Sequence, residues 1–143
     1  MHFDPPPSYR VLVVDHDRTV LEMIQIRLDV AGYAVSAIRD PAEAIAVLEA
    51  GGVDAVVLER RLPDMASLEV LEALATAPGG PVPVLLIGRG LTQEHVEAAA
   101  GHGVCDGLAK PFSGAELLER VDRMLAAGAP TLAPEPRDAW IEV

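Results

Sequence analysis

Short apolar runs alternate with amphipathic stretches five times along this chain. Arg10–Asp15 is apolar until it ends in acid, which reads as a strand buried on both faces. From Arg18 to Ala31, Val20, Leu21, Ile24, Leu28 and Ala31 recur at helical spacing, with Gly32 placed to end the helix. Tyr33–Ile38 is a second strand. Asp40-Pro41-Ala42-Glu43 opens the next helix with a capping residue, a proline at the first helical position and a glutamate that can reach back. Ala44, Ile45 and Leu48 form its inner face, and Gly51-Gly52 stops it. Asp54-Ala55-Val56-Val57-Leu58 is the third strand, with Glu59 where it runs out. Leu68, Leu71, Leu74 and Ala75 mark a third helix, closed by Pro78-Gly79-Gly80. Val82–Ile87 is the fourth strand. Thr92 caps a fourth helix with a thin apolar face (Val96, Ala99, Ala100) that ends at Gly101. Val104–Ala109 is a short fifth strand running into Lys110-Pro111. Ser113-Gly114-Ala115-Glu116 is a capping box, and Leu117, Leu118, Val121, Met124 and Leu125 line the last helix up to Gly128.

Strand and helix in strict alternation call for a parallel sheet with helices on both faces, because each crossover is right-handed and must cover the sheet. Three regions follow: a Pro-rich arm over 1–8, one domain over 9–127 and a Pro-rich tail over 128–143. The tail ends in an apolar hook, Trp140, Ile141 and Val143. A tryptophan there docks either on its own domain or a second copy, or on a partner. Only 3% of residues are aromatic while half are hydrophobic, so the core is aliphatic. The net charge of −11 speaks against nucleic acid as a direct partner. No apolar run approaches the ~20 residues of a membrane span, and the N-terminus has no signal-peptide pattern. The single cysteine, Cys105, fits a reducing cytoplasm and is given no role.

In such sheets the pocket lies beyond the carboxyl ends of the strands. Three strand ends meet there: Asp15-His16-Asp17, Glu59 and Lys110-Pro111. Val-Val-Asp-His-Asp, Asp-Ala-Val-Val-Leu-Glu-Arg-Arg-Leu-Pro-Asp-Met and Ala-Lys-Pro-Phe stand in the order and spacing of one family. Over residues 10–127 the chain resembles a bacterial response-regulator receiver domain. The resemblance implies a single flavodoxin-like (CheY-like), doubly wound five-stranded parallel sheet of order 2-1-3-4-5 with five helices. It also implies two-component or phosphorelay signalling. In the family an aspartate ending the third strand takes a phosphoryl group from a histidine kinase. Two acids after the first strand help hold Mg²⁺, and a lysine before a proline contacts the phosphoryl group. A Thr or Ser ending the fourth strand and an aromatic before the lysine report phosphorylation to the surface of the fourth helix, fifth strand and fifth helix.

Against that pattern Asp15, Lys110 and Pro111 match, and most other positions depart from it. Glu59 replaces the acceptor aspartate, and its carboxylate sits about 1.5 Å farther out, enough to misplace an in-line attack. His16 replaces the second acid, a poor exchange for a cation that wants oxygen ligands. Gly88 replaces the Thr/Ser, Arg89 the small residue after it, Gly107 the aromatic, and Ala66-Ser67 an Asp-Gly. Phosphoryl transfer depends on metal and charge placement, so the chain reads as a pseudo-receiver. Glu59 is expected to pair with Lys110, with Arg89 as a further partner. It is either a built-in phosphoryl mimic or simply the balance to Lys110. His16 is either a transition-metal ligand with Asp15 and Asp17 or a solvated turn residue. Arg60 and Arg61 either contact an anion or offset nearby acids.

The leading expectation is a stand-alone, cytoplasmic, phosphorylation-independent module. It is not an enzyme and has no cofactor, with Asp15 and Asp17 the residual candidates for Mg²⁺. It would bind a histidine kinase or a downstream target through the fourth helix, fifth strand, fifth helix and tail, as monomer or homodimer. No output domain is expected after residue 127. The alternatives are a response regulator phosphorylated on an atypical acid, Asp64 or Asp17, and a small-ligand or cyclic-nucleotide effector.

Overall fold

Five parallel strands stand side by side in the order β2-β1-β3-β4-β5. They are β1 (Arg10–Val14), β2 (Ala34–Ile38), β3 (Ala55–Glu59), β4 (Val84–Arg89) and β5 (Val104–Lys110). The computed structural model describes residues 9–63 and 66–127. The arm, Asp64, Met65 and the tail with Trp140, Ile141 and Val143 lie outside the described residues. Helices α1 (Arg18–Val30), α2 (Pro41–Ala50), α3 (Ala66–Ala75) and α4 (Gln93–Ala99) lie in the crossovers between successive strands, and α5 (Gly114–Ala126) follows β5. The expected fold class and strand order are those observed.

Every residue of β3 is buried, because the sheet is covered on both sides. Val11, Val13, Val57, Leu85, Ile87 and Leu108 pack under α1 and α5, with Ile24, Leu28, Leu117 and Val121. Leu12, Val14, Val56, Leu58, Leu86 and Val104 pack under the other helices, with Leu48, Val70 and Val96. Caps set the helix starts. Asp17 accepts from the N–H groups of Thr19 and Val20, and Ser113 and Glu116 form the reciprocal box expected for α5. At α2 only half of the expected box exists: Asp40 accepts from Ala42 N–H, and no return bond from Glu43 is seen.

Three departures from the sequence reading shape the site. β4 runs on through Gly88 and Arg89, because β5 extends to Lys110 and pairs with it there. α4 stops at Ala99 and tightens into a 3-10 turn over Ala100–His102, closed by Gly103 at φ +95°. Finally, Val84 pairs with Val104 but Leu85 pairs with Asp106, so Cys105 is an inserted residue, a β-bulge. A bulge turns over every later side chain. Asp106 and Leu108 therefore face α5, and Gly107 faces α4.

Candidate functional site

Asp15 and Glu59 end up side by side because β1 and β3 are neighbours in the sheet and both end at the same edge. Lys110 comes from the end of β5, followed by a cis peptide to Pro111. Its ammonium lies 2.5 Å from Glu59 Oε1, to which it donates a hydrogen bond, and 2.7 Å from Asp15 Oδ2, an ion contact off hydrogen-bond alignment. Glu59 Oε2 accepts from the Arg61 N–H at 2.8 Å, and Asp15 Oδ1 accepts from the Asp17 N–H at 2.9 Å. Asp15 is 0% and Glu59 3% exposed, and the Lys110 side chain is 10% exposed. Burial alone would lower the Lys110 pKa, but the adjacent carboxylates of Asp15 and Glu59 outweigh it and hold it above the ordinary lysine value. One further signal is plain from the sequence itself: Lys110 is the only lysine in the chain.

Other candidates fall elsewhere. Arg89 is exposed at the end of β4, and no carboxylate among the described residues pairs with it, so the expected Glu59–Arg89 contact is absent. The strand's continuation carries Arg89 out to solvent. Asp17 is not a pocket acid, since its side chain is spent on the α1 cap. The Val20 N–H bond is the main reason its carboxyl stays below its ordinary pKa, against an opposing effect of burial and with help from the Thr19 N–H. His16 has a side chain 52% exposed, 3.7 Å from Asp15. Arg60 and Arg61 border an open cavity of about 260 Å³ with Leu62, Ser67 and Leu68. That is below the roughly 300–1,000 Å³ of pockets that bury a drug-sized ligand, so a cyclic nucleotide would have little to bury itself in.

Among the described residues, the atoms that come nearest to a metal site are one each from Asp15, His16 and Glu59, all within 4.8 Å of one another. This set replaces the Asp15 and Asp17 pair expected from sequence. It does not suit Mg²⁺, which takes oxygens in octahedral geometry. One of the three donors is an imidazole, and the two carboxylates already share an ammonium.

The two positions where the family pattern has its reporters hold glycines, Gly88 and Gly107, whose space is taken. A Cβ on Gly107 would stand 2.4 Å from Val96 Cγ2 and 2.9 Å from Leu91 Cδ2, so α4 lies directly on β5. Behind it, Asp106 holds Arg120 and Arg123 at 3.2 Å each, tying α5 to the same strand. Arg120 also donates to the Gly107 carbonyl at 2.8 Å. Neither contact was expected from sequence, although an i, i+3 arginine pair facing an acid was there to be seen. Desolvation pushes the Cys105 thiol up to about 11, so it stays protonated at neutral pH and is no nucleophile.

Comparison with known proteins agrees with this layout. The profile of the response regulator receiver domain matches residues 11–122. Response regulator MprA of Mycobacterium sp. (strain KMS) is 36% identical over 127 residues, 88% of this chain and 54% of the relative. The corresponding protein of Mycobacterium tuberculosis (strain ATCC 25618 / H37Rv) is 36% identical over 129 residues, covering 90% and 55%. The chain thus spans about half the length of the curated relatives it matches. Among solved structures, chemotaxis response regulator CheY4 of Vibrio cholerae superposes with a TM-score of 0.73 at 26% identity, over 82% of this chain and 98% of that one. A putative response regulator from Chloroflexus aurantiacus J-10-fl gives 0.73 at 30% identity, again over 82% and 98%.

Proposed function

This chain belongs to the response regulator receiver domain family, and from that premise we propose that it presents a constant interaction surface, one not switched by phosphorylation. Receiver domains are signalling modules of two-component systems, generally non-enzymatic, that meet histidine kinases and downstream targets and bind Mg²⁺ at an acidic site. Among the described residues no helix is long and apolar enough to cross a membrane.

The observation that carries the reading is the state of the two pocket carboxylates. Each of their four oxygens has a nitrogen of the chain within 2.9 Å. Among the described residues, the other candidates for a cation nearby are an exposed imidazole and an aspartate committed to a helix cap. An acid that is buried, ion-paired and longer than aspartate is poorly placed to attack phosphorus in line. The tight seat of α4 over Gly107 favours one fixed arrangement of α4, β5 and α5. Exposed Glu94, Glu116 and Glu119 make that face acidic, which suits a partner surface bearing lysine or arginine.

The test is incubation with acetyl phosphate and Mg²⁺, read by intact mass. No adduct is expected. An adduct that persists in Glu59→Gln but disappears in Asp64→Asn or Asp17→Asn would support acceptance on an atypical acid instead. An adduct lost in Glu59→Gln would overturn the proposal outright.

A further inference from the structure

Gly88 sits in β4 without the positive φ that makes glycine necessary elsewhere in this fold. Its backbone does not demand glycine, but its neighbours do. A Cβ built at this position stands 2.9 Å from Glu59 Oε2 and 3.4 Å from Arg60 Cβ. The first distance is well inside the roughly 3.3–3.6 Å of even a close carbon–oxygen contact. Glu59 has little freedom to withdraw. Oε2 accepts from the Arg61 N–H at 2.8 Å, Oε1 is held by Lys110 at 2.5 Å, and the residue is buried.

We infer that Gly88 is the positioning residue that fits this pocket to a glutamate: the volume left by its missing Cβ houses the Glu59 carboxylate. The inference rests on the reading that Glu59 is permanently held. An aspartate at 59 would draw its oxygens back by about 1.5 Å and would leave that volume empty. The two departures from the family pattern then go together, since the longer acid needs the space that Gly88 leaves.

Four proteins test this: the parent, Gly88→Ala, Glu59→Asp and the double variant. In a strand with ordinary φ, alanine is normally neutral or favourable against glycine, because glycine loses more freedom on folding. With Glu59 in place, Gly88→Ala is expected to lower the melting temperature. In the Glu59→Asp background the same substitution is expected to leave it unchanged or raise it. Because Lys110 is the only lysine, its side-chain ammonium resonance gives a second readout. Gly88→Ala should shift it in the parent and leave it in place in the Glu59→Asp background. An equal loss of stability in both backgrounds would overturn the inference. Should Gly88→Ala alone fail to fold, the comparison of Glu59→Asp with the double variant decides: a double variant less stable than Glu59→Asp overturns it. These readouts do not involve phosphate, so the inference and the phosphorylation-independent reading fail separately.

Discussion

Lys110→Met is expected to cost the domain about 3–5 kcal/mol, the usual penalty for breaking a buried ion pair by removing one member. The substitution keeps an unbranched side chain, one atom shorter, and deletes its charge. Asp15 and Glu59 are then left together, buried at 0% and 3% exposure, with no cation between them. In a domain of this size that loss should lower the melting temperature by roughly 10–20 °C. Glu59→Ala should cost less, because it leaves one lysine opposite one aspartate. Thermal melts followed by circular dichroism give the comparison. If Lys110→Met does not fold, Lys110→Met combined with Glu59→Gln should recover part of the loss, since only one buried carboxylate then lacks its counter-charge.

The pH dependence has a definite sign. The folded-state pKa of Lys110 is raised above its ordinary 10.5. Its contribution is therefore complete below 10.5 and is lost only as pH climbs through the raised value. The gap between the parent and Lys110→Met should stay level across the neutral range and narrow in alkali as Lys110 loses its proton. A Lys110→Met protein that melts with the parent would remove the ion cluster from any structural role.

Gly107→Phe carries the other large effect. It places a ring where the family pattern has an aromatic, yet even a Cβ there meets Val96 at 2.4 Å and Leu91 at 2.9 Å. Val96 is β-branched and buried, with little rotamer freedom to move aside. Overpacking of this kind costs about 1–3 kcal/mol or more, roughly 5–15 °C in melting temperature. Val96→Ala in the same protein should return much of that loss by opening the seat under α4. If Gly107→Phe proves as stable as the parent, α4 moves easily and the fixed surface proposed for α4, β5 and α5 is not fixed.

Most of the fold was legible because its signal is periodic. Apolar runs such as Val56-Val57-Leu58 and helical repeats such as Leu117, Val121 and Leu125 are selected by burial on two faces, and burial writes itself into the pattern. Asp15, Glu59 and Lys110 were legible too, since parallel strands deliver their ends to one edge. What pattern cannot carry is a single inserted residue. The bulge at Cys105 turns Gly107 toward α4 and Asp106 toward α5, and nothing in Val104–Leu108 announces it. Arg89 and Asp17 were misplaced for a related reason. Nearness in sequence put both at the pocket, whereas strand continuation took one to solvent and cap geometry took the other to α1. The two glycines read from sequence as missing reporters. In three dimensions Glu59 stands against the first, and Val96 and Leu91 against the second.

The most direct measurement uses the solitary lysine. In protein labelled with ¹⁵N-lysine, the side-chain ammonium signal belongs to Lys110 alone. With Glu59 and Asp15 as its permanent partners, that signal should be unchanged on adding Mg²⁺ and beryllofluoride together. A saturable shift, with the ammonium transferred from carboxylate to the added anion, would contradict the permanent cluster and restore this domain to the switched receivers.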